Sequence, residues 1–504
     1  MKYLIRFVVL VIWIGSVGWL VRYEAYPEYF THRLNGYKSI ISKDILLIDS
    51  WMRILVDNSP VGYSYTKMKV EKSDKINHYK IENFLTFSIN IAGVNQHINI
   101  KSNSVLNNIY QLQKFKFSII SKFYSIKING EKLEKNIFKI TRITKDTKQI
   151  QKIEIPEDLV IYSPMTEMAM KSLKPGQTMS ISTFDPITMS KINIIFKGIK
   201  KEKIIIGKKE YDTILIIADM KGAIAKLWID SLTGQPLRQT TPFGWTMEKS
   251  TSRLALQSIN KAGTNKDILK NLAVKPFGIP LDPKVDKLII KLTGVEFKDL
   301  EFASDRQKIL TRKDKEIEML ITKQTNNKFF RKNLLSIQKQ APFLRSTLAV
   351  QSDNPEIIKT CKTIINNIQN KNNRIKVQAV FNWVYKNMKK EITISLPSAL
   401  DVLHTMKGDC NEHAYLFTAL VRALKIPAKI ITGLVFTKGR FYYHAWTSVY
   451  IDGQWIEMDP TWGQPFVDVT HIAVVTGEIS DQFQLVKLMG NLKIEIKEVP
   501  HDKD

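Results

Sequence analysis

Asp452-Gly453 stands between two runs of strand-forming residues, Phe441 to Ile451 and Gln454 to Met458. The pair is the sequence form of a two-residue β-turn with both central residues at positive φ, so it fixes a hairpin and its register. Counting back from the turn sets Ile451 opposite Gln454 and Trp446 opposite Asp459. His444 lies two residues beyond Trp446 on the same face. It is therefore a diagonal cross-strand neighbour of Asp459, within reach of a side-chain hydrogen bond. An imidazole and a carboxylate are paired before any long-range contact is considered.

Upstream, Gly408-Asp409-Cys410 reads as a helix start. Asp409 suits the N-cap, Glu412 stands where a capping-box partner reaches back, and Ala414, Phe417, Leu420, Val421 and Leu424 recur at helical spacing before Pro427. Cys410 then takes the first helical position, where the positive end of the helix dipole favours thiolate. A thiol, a base and a group that orients the base are the parts of covalent catalysis. Other readings of these residues stay open. Asp459 precedes Pro460 and also suits a turn. His413, three residues after Cys410 with its ring directed back toward the helix start, is a rival base. His444 is preferred because it alone has an expected carboxylate partner. Asp409, Cys410, His413 and His444 would form a metal set, but they lack paired CxxC or HxxxH spacing.

Four segments in order carry a resemblance: Gly408-Asp409-Cys410-Asn411-Glu412-His413-Ala414, Ala423-Leu424-Lys425-Ile426-Pro427-Ala428, His444-Ala445-Trp446 and Asp459-Pro460-Thr461. They resemble the transglutaminase-like superfamily, a papain-related group of cysteine enzymes; Lys425 stands where that family favours Gly. The resemblance covers roughly the last third of the chain. It implies an α+β, papain-like catalytic domain over 348–504, with Cys410 as nucleophile, His444 as general base and acid, and Asp459 as the orienting residue. It implies a protein or peptide substrate and no metal or organic cofactor. The Cys410 backbone N–H is a natural oxyanion donor, and no EF-hand loop points to calcium. The family includes crosslinkers, peptidases, amidases and inactive members, so it does not fix the reaction. The expected activity is thiolate acyl transfer that hydrolyses an amide or peptide bond. The alternatives are a protein-crosslinking acyltransferase, a non-catalytic peptide-binding module and an envelope scaffold.

The rest of the chain is expected to be multidomain: an N-terminal membrane segment, a large antiparallel all-β domain and the α+β domain. Its 504 residues and 44% hydrophobic content are ample for separate cores. The net charge of +27 comes from scattered lysines. It fits an anionic membrane surface, an anionic polymer or compositional drift, and without a basic stripe interleaved with aromatics it argues against nucleic acid. Cys361 shares a face with Ile357, Ile364, Ile365 and Ile368 on a helix expected at Asn354 to Ile368 with Pro355 first, so it reads as core and both thiols as free. Oligomeric state is not fixed.

Lys2 and Arg6 precede an apolar run from Phe7 to Val21, followed by Arg22. Residues 1–25 are expected to be a signal anchor, with the bulk of the protein in the periplasm or another extracytoplasmic space. A signal peptide cut after Ser16 and Gly18, giving a secreted protein, is the alternative. Residues 49–256 read as the β domain, with strands at Trp51 to Val56, Gly62 to Val70, Phe87 to Ile91, Phe115 to Ile120, Ile192 to Phe196, Ile204 to Ile206, Thr213 to Ile217 and Ala223 to Ile229, and a turn at Asn58-Ser59-Pro60. Trp51 and Gly62-Tyr63-Ser64 resemble an opening found in bacterial proteins with a β domain ahead of a transglutaminase-like one. Residues 257–347 read as a linker and small β subdomain, with strands at Val285 to Leu292 and Glu316 to Ile321, and Gln324 to Ser346 as a basic exposed stretch. Helices at Ile375 to Met388 and Ser398 to Met406 lead into Gly408.

Overall fold

The computed structural model describes residues 2–20, 32–41 and 48–497, apart from 74–75, 92, 123, 146, 221, 242–243, 261–266, 268–269, 271, 299, 303, 326–334, 367, 370–371 and 393–397. Val21, Arg22 and parts of the expected linker and basic stretch lie outside the described residues. The apolar run forms one helix, Lys2–Leu20. Among the described residues no helix is long and apolar enough to cross a membrane, so the membrane segment expected at 1–25 is not confirmed.

The β region is a 15-stranded sheet. Consecutive hairpins run from Ile48–Val56 to Lys148–Glu154, and a second series runs from Thr178–Asp185 to Trp245–Ser250. The two join where Trp245–Ser250 pairs with Ile48–Val56. The sheet folds over a shared core: the rings of Phe115 and Phe184, from opposite halves, meet edge to face at 5.8 Å. Phe138, Phe196, Ile216 and Leu227 are buried in the same cluster. The strands Val94–Leu106, Ser125–Glu134 and Ile137–Thr144 mix buried positions with more exposed ones, and Lys148–Glu154, at the end of the sheet, has no buried residue. Asp57 and Asn58 hold φ of 48° and 63°. The first turn is therefore Asp57-Asn58, and Ser59-Pro60 opens the next strand instead of forming the expected turn.

The C-terminal unit begins with the helices Pro355–Ile365, Asn373–Asn387 and Ala399–Thr405, each started by a side-chain cap from Asn354, Asn372 or Ser398. The helix Cys410–Ala423 follows. It packs on an antiparallel sheet ordered Gln454–Met458, Arg440–Ile451, Ala428–Thr437, His471–Thr476. Leu416, Phe417, Leu420 and Val421 are fully buried, each worth about 1.5–3 kcal/mol over an exposed side chain. Cys361 lies in this core.

A third sheet is ordered Phe277–Gly278, Lys493–Lys497, Lys287–Thr293, Glu316–Thr322, Gln307–Lys313. Its second strand comes from beyond the 347/348 boundary expected from sequence, so that line crosses a continuous sheet. Gln324, expected on an exposed stretch, is buried. Its amide donates to the Trp455 carbonyl at 2.7 Å and accepts from Glu457 N–H at 3.0 Å, because the edge strand Gln454–Met458 would otherwise bury unpaired backbone groups. The β region also touches the C-terminal unit. Thr144 and Thr147 donate to Asp401 Oδ1 at 2.7 and 2.8 Å, one short helix ahead of Cys410.

Candidate active site

The hairpin forms in the expected register, with Ile451 paired to Gln454 and Thr447 to Met458. Asp452 and Gly453 hold φ of 54° and 83°, as the two-residue turn demands. His444 Nε2 donates to Asp459 Oδ2 at 2.8 Å, and both side chains are buried. A carboxylate only accepts, so the shared proton belongs to Nε2. Asp459 Oδ1 accepts from the backbone N–H groups of Thr461 and Trp462 at 2.8 and 3.3 Å. Asp459 thus serves as turn residue and imidazole partner at once.

At the helix start the capping box is complete. Asn411 N–H donates to Asp409 Oδ1 at 3.0 Å, and Asp409 N–H to Glu412 Oε2 at 2.9 Å. Cys410 is half-buried, and the Ala445 N–H, next to His444, donates to its sulfur. Burial pushes the Cys410 thiol well above its ordinary value; Asp409 adds to this and the Ala445 N–H opposes it. The helix start therefore does not by itself make a thiolate, against expectation. Desolvation outweighs a dipole effect of about 0.3–1 kcal/mol. His413 turns back as expected, its Nδ1 donating to the Asp409 carbonyl at 2.6 Å. Its Nε2 is buried without a hydrogen-bond partner among the described residues, and burial lowers its proton affinity.

His471 was not foreseen. It heads the strand His471–Thr476, is fully buried, and places Nε2 3.3 Å from Asp459 Oδ2. Its Nδ1 is 3.3 Å from Asp468 Oδ1. No local pattern marks it, since its role depends on strand order. Gly433 lies between, paired to His444 on one side and Ala473 on the other. A Cβ there would stand 1.9 Å from the Ile472 carbonyl oxygen and 3.0 Å from Trp446 Cη2, so glycine alone lets the strands bearing the two histidines approach. The ligand-type atoms of His444, Asp459 and His471 lie within 4.8 Å of one another. Each imidazole can direct an N–H at the Asp459 carboxylate, so the three side chains form a hydrogen-bond hub. It is also distinct from the set weighed from sequence.

Arg306, also unforeseen, reaches in from the third sheet. Its Nε donates to Glu457 Oε2 at 2.8 Å, Nη1 to the Asp468 carbonyl at 3.0 Å, and Nη2 to the His471 carbonyl. Trp446 Nε1 donates to the same Glu457 oxygen at 3.0 Å. Trp462, 37% exposed, covers His444 with ring centroids 5.2 Å apart.

These groups set a pH window. Burial alone would raise the carboxyls of Glu457, Asp459 and Asp468, but Arg306, the two histidines and Thr470 hold all three below the usual range. Their contribution to stability is present above about pH 4 and is lost as pH falls through their folded values. Burial would lower His471, but its bonds to Asp459 and Asp468 raise it. Its contribution is full below about pH 6.5 and is lost as pH rises through the raised folded value. Hydrogen-exchange protection of the Arg440–Ile451 strand, corrected for intrinsic rates, is expected to peak in mildly acidic solution. A steady rise in protection from about pH 5 to about pH 9 would contradict this.

Residues 360–460 match the transglutaminase-like superfamily. Kyphoscoliosis peptidase of Mus musculus is 27% identical over 111 residues, which are 19% of this chain and 16% of that protein. Its Homo sapiens counterpart is 28% identical over 109 residues, 18% of this chain and 16% of that protein. The chain thus matches less than a fifth of the length of these relatives. Among solved structures, a Cytophaga hutchinsonii protein provisionally described as a cysteine protease is 21% identical, with a TM-score of 0.30, over 43% of this chain and 92% of that one. The periplasmic domain of TgpA from Pseudomonas aeruginosa is 13% identical, with a TM-score of 0.27, over 38% of this chain and 82% of that one.

Proposed function

Taking residues 360–460 as a transglutaminase-like domain, we propose that the C-terminal unit is a cysteine enzyme that cleaves amide or peptide bonds by acyl transfer. The observation that carries this reading is the buried His444–Asp459 hydrogen bond at 2.8 Å, formed where the Ala445 N–H meets the Cys410 sulfur. His444 takes the thiol proton as Cys410 attacks the carbonyl carbon. It returns that proton to the leaving amine, and water activated by the same imidazole then releases the acyl group. Asp459 holds the ring in the Nε2–H form and balances the imidazolium. A peptidase name on the matched relatives supports water as the acceptor. In the same proposal the enzyme is held at a membrane outside the cytoplasm and acts on a protein or peptide; this rests on the basic start and the apolar run from Phe7, although the helix Lys2–Leu20 is not by itself long and apolar enough to cross.

The test is iodoacetamide alkylation of the full chain against pH, read by mass spectrometry. At neutral pH Cys410 should react at least about tenfold faster than in His444→Ala, because without the imidazole only the burial effect remains. Cys361 is the internal reference. It is buried, its thiol donates to the Leu420 carbonyl at 3.3 Å, and burial pushes it up to about 12. It should label only after unfolding. Equal Cys410 rates with and without His444 would remove the enzyme reading.

A further inference from the structure

Every polar neighbour of the two His471 ring nitrogens can accept a proton, which favours the doubly protonated ring. Nε2 faces Asp459 Oδ2 and Nδ1 faces Asp468 Oδ1, each at 3.3 Å, and carboxylate oxygens only accept. The remaining neighbour of Nδ1 is Thr470 Oγ1 at 3.3 Å. That hydroxyl gives its single proton to Asp468 Oδ1 at 2.5 Å, so toward the ring it too can only accept. The bonds to Asp459 and Asp468 favour the same charged form.

This buried cation shares one carboxylate oxygen with His444, and the two rings are 5.8 Å apart. The other groups facing it are Trp446 and Trp462, which are neutral, and Arg306, which is paired with Glu457 but whose charge still opposes that of the ring; the two carboxylates outweigh it. When Cys410 passes its proton to His444, a second imidazolium forms beside the first on a single carboxylate. The repulsion opposes that transfer.

Resting on the acyl-transfer reading above, we propose that His471, clamped between Asp459 and Asp468, is a positioning residue that holds back ionisation of the Cys410–His444 pair. The proton moves from Cys410 Sγ to His444, and His471 keeps both of its own. The site is thereby restrained while His471 is charged and released as it loses a proton. In the restrained state Asp459 supports two rings; in the released state its charge serves His444 alone.

The test is the Cys410 alkylation rate at neutral pH in His471→Gln, which keeps an N–H donor for Asp459 but removes the charge. The expected result is an increase on the order of tenfold. A merely structural His471 would give the opposite sign, since a loosened Asp459 misorients His444 and slows alkylation. Asp468→Asn strips His471 of its second carboxylate and should also speed alkylation near neutrality. Labelling of Cys361 reports unfolding in each variant, and if His471→Gln unfolds, Asp468→Asn decides. A rate that is unchanged or lower overturns the proposal. If His444→Ala already matches the wild type, the acyl-transfer reading falls, and this proposal with it. If His444→Ala is slow and neither variant is fast, the His471 proposal alone falls.

Discussion

Replacing Cys410 by alanine is expected to lower amide turnover by about a million-fold, and replacing His444 as well should cost nothing further. The reason is that nucleophile and base act as one unit. Without the thiol the imidazole has no proton to take, and without the imidazole a thiol that burial holds protonated is no nucleophile. Asp459→Asn should cost about ten-thousand-fold, because an amide can donate where His444 Nε2 now donates, which favours the wrong tautomer. The measurement is amine release from a pooled peptide library incubated with the full chain, with each variant compared against the wild type. Losses that add in the Cys410→Ala, His444→Ala double variant would mean that the two residues act independently. An unaffected Cys410→Ala would end the mechanism.

The largest expected stability loss lies at Arg306. Its side chain is wholly buried, and its partner Glu457 is 3% exposed. Arg306→Met should destabilise the C-terminal unit by about 3–5 kcal/mol, because it leaves the Glu457 carboxylate buried with Trp446 Nε1 and the Ser304 side chain as its remaining hydrogen-bond partners. It also removes the guanidinium donors from the carbonyls of Asp468 and His471, the first of which keeps only a 3.4 Å bond from the His471 N–H. Arg306→Met with Glu457→Gln should recover part of the loss, since the uncompensated charge is gone while the tryptophan keeps an acceptor. Urea unfolding followed by near-ultraviolet circular dichroism, to which the buried Trp446 contributes, gives both values. A double variant less stable than the single would show that the carboxylate itself is not the source of the cost.

What the sequence made legible was local. The turn type of Asp452-Gly453 carried the register that joins His444 to Asp459, and the Asp409 and Glu412 caps placed Cys410 at a helix start. What it hid was set by strand order. His471 reaches Asp459 from the strand on the far side of Ala428–Thr437, and Arg306, Gln307 and Gln324 reach the same sheet from another. Each is a polar residue among polar residues until the fold buries it. The thiol was misjudged for a related reason: the dipole of a helix start is read from a few residues, whereas desolvation depends on everything packed around it.

Strand Lys493–Lys497 lies between Phe277–Gly278 and Lys287–Thr293, so the third sheet is completed by residues synthesised after the whole of the site. As the chain emerges from its N-terminal end, Lys287–Thr293 must wait with one edge open while the helices and the four-stranded sheet follow. Pairings this distant in sequence make folding slow and leave an edge exposed to other chains. Arg306 is borne on that late-closing sheet and bonds Glu457 and the His471 carbonyl. The nascent chain would therefore carry its thiol and imidazole for some time before the support beneath them is locked. The finished site is thus acquired last, when Lys493–Lys497 closes the sheet that carries Arg306.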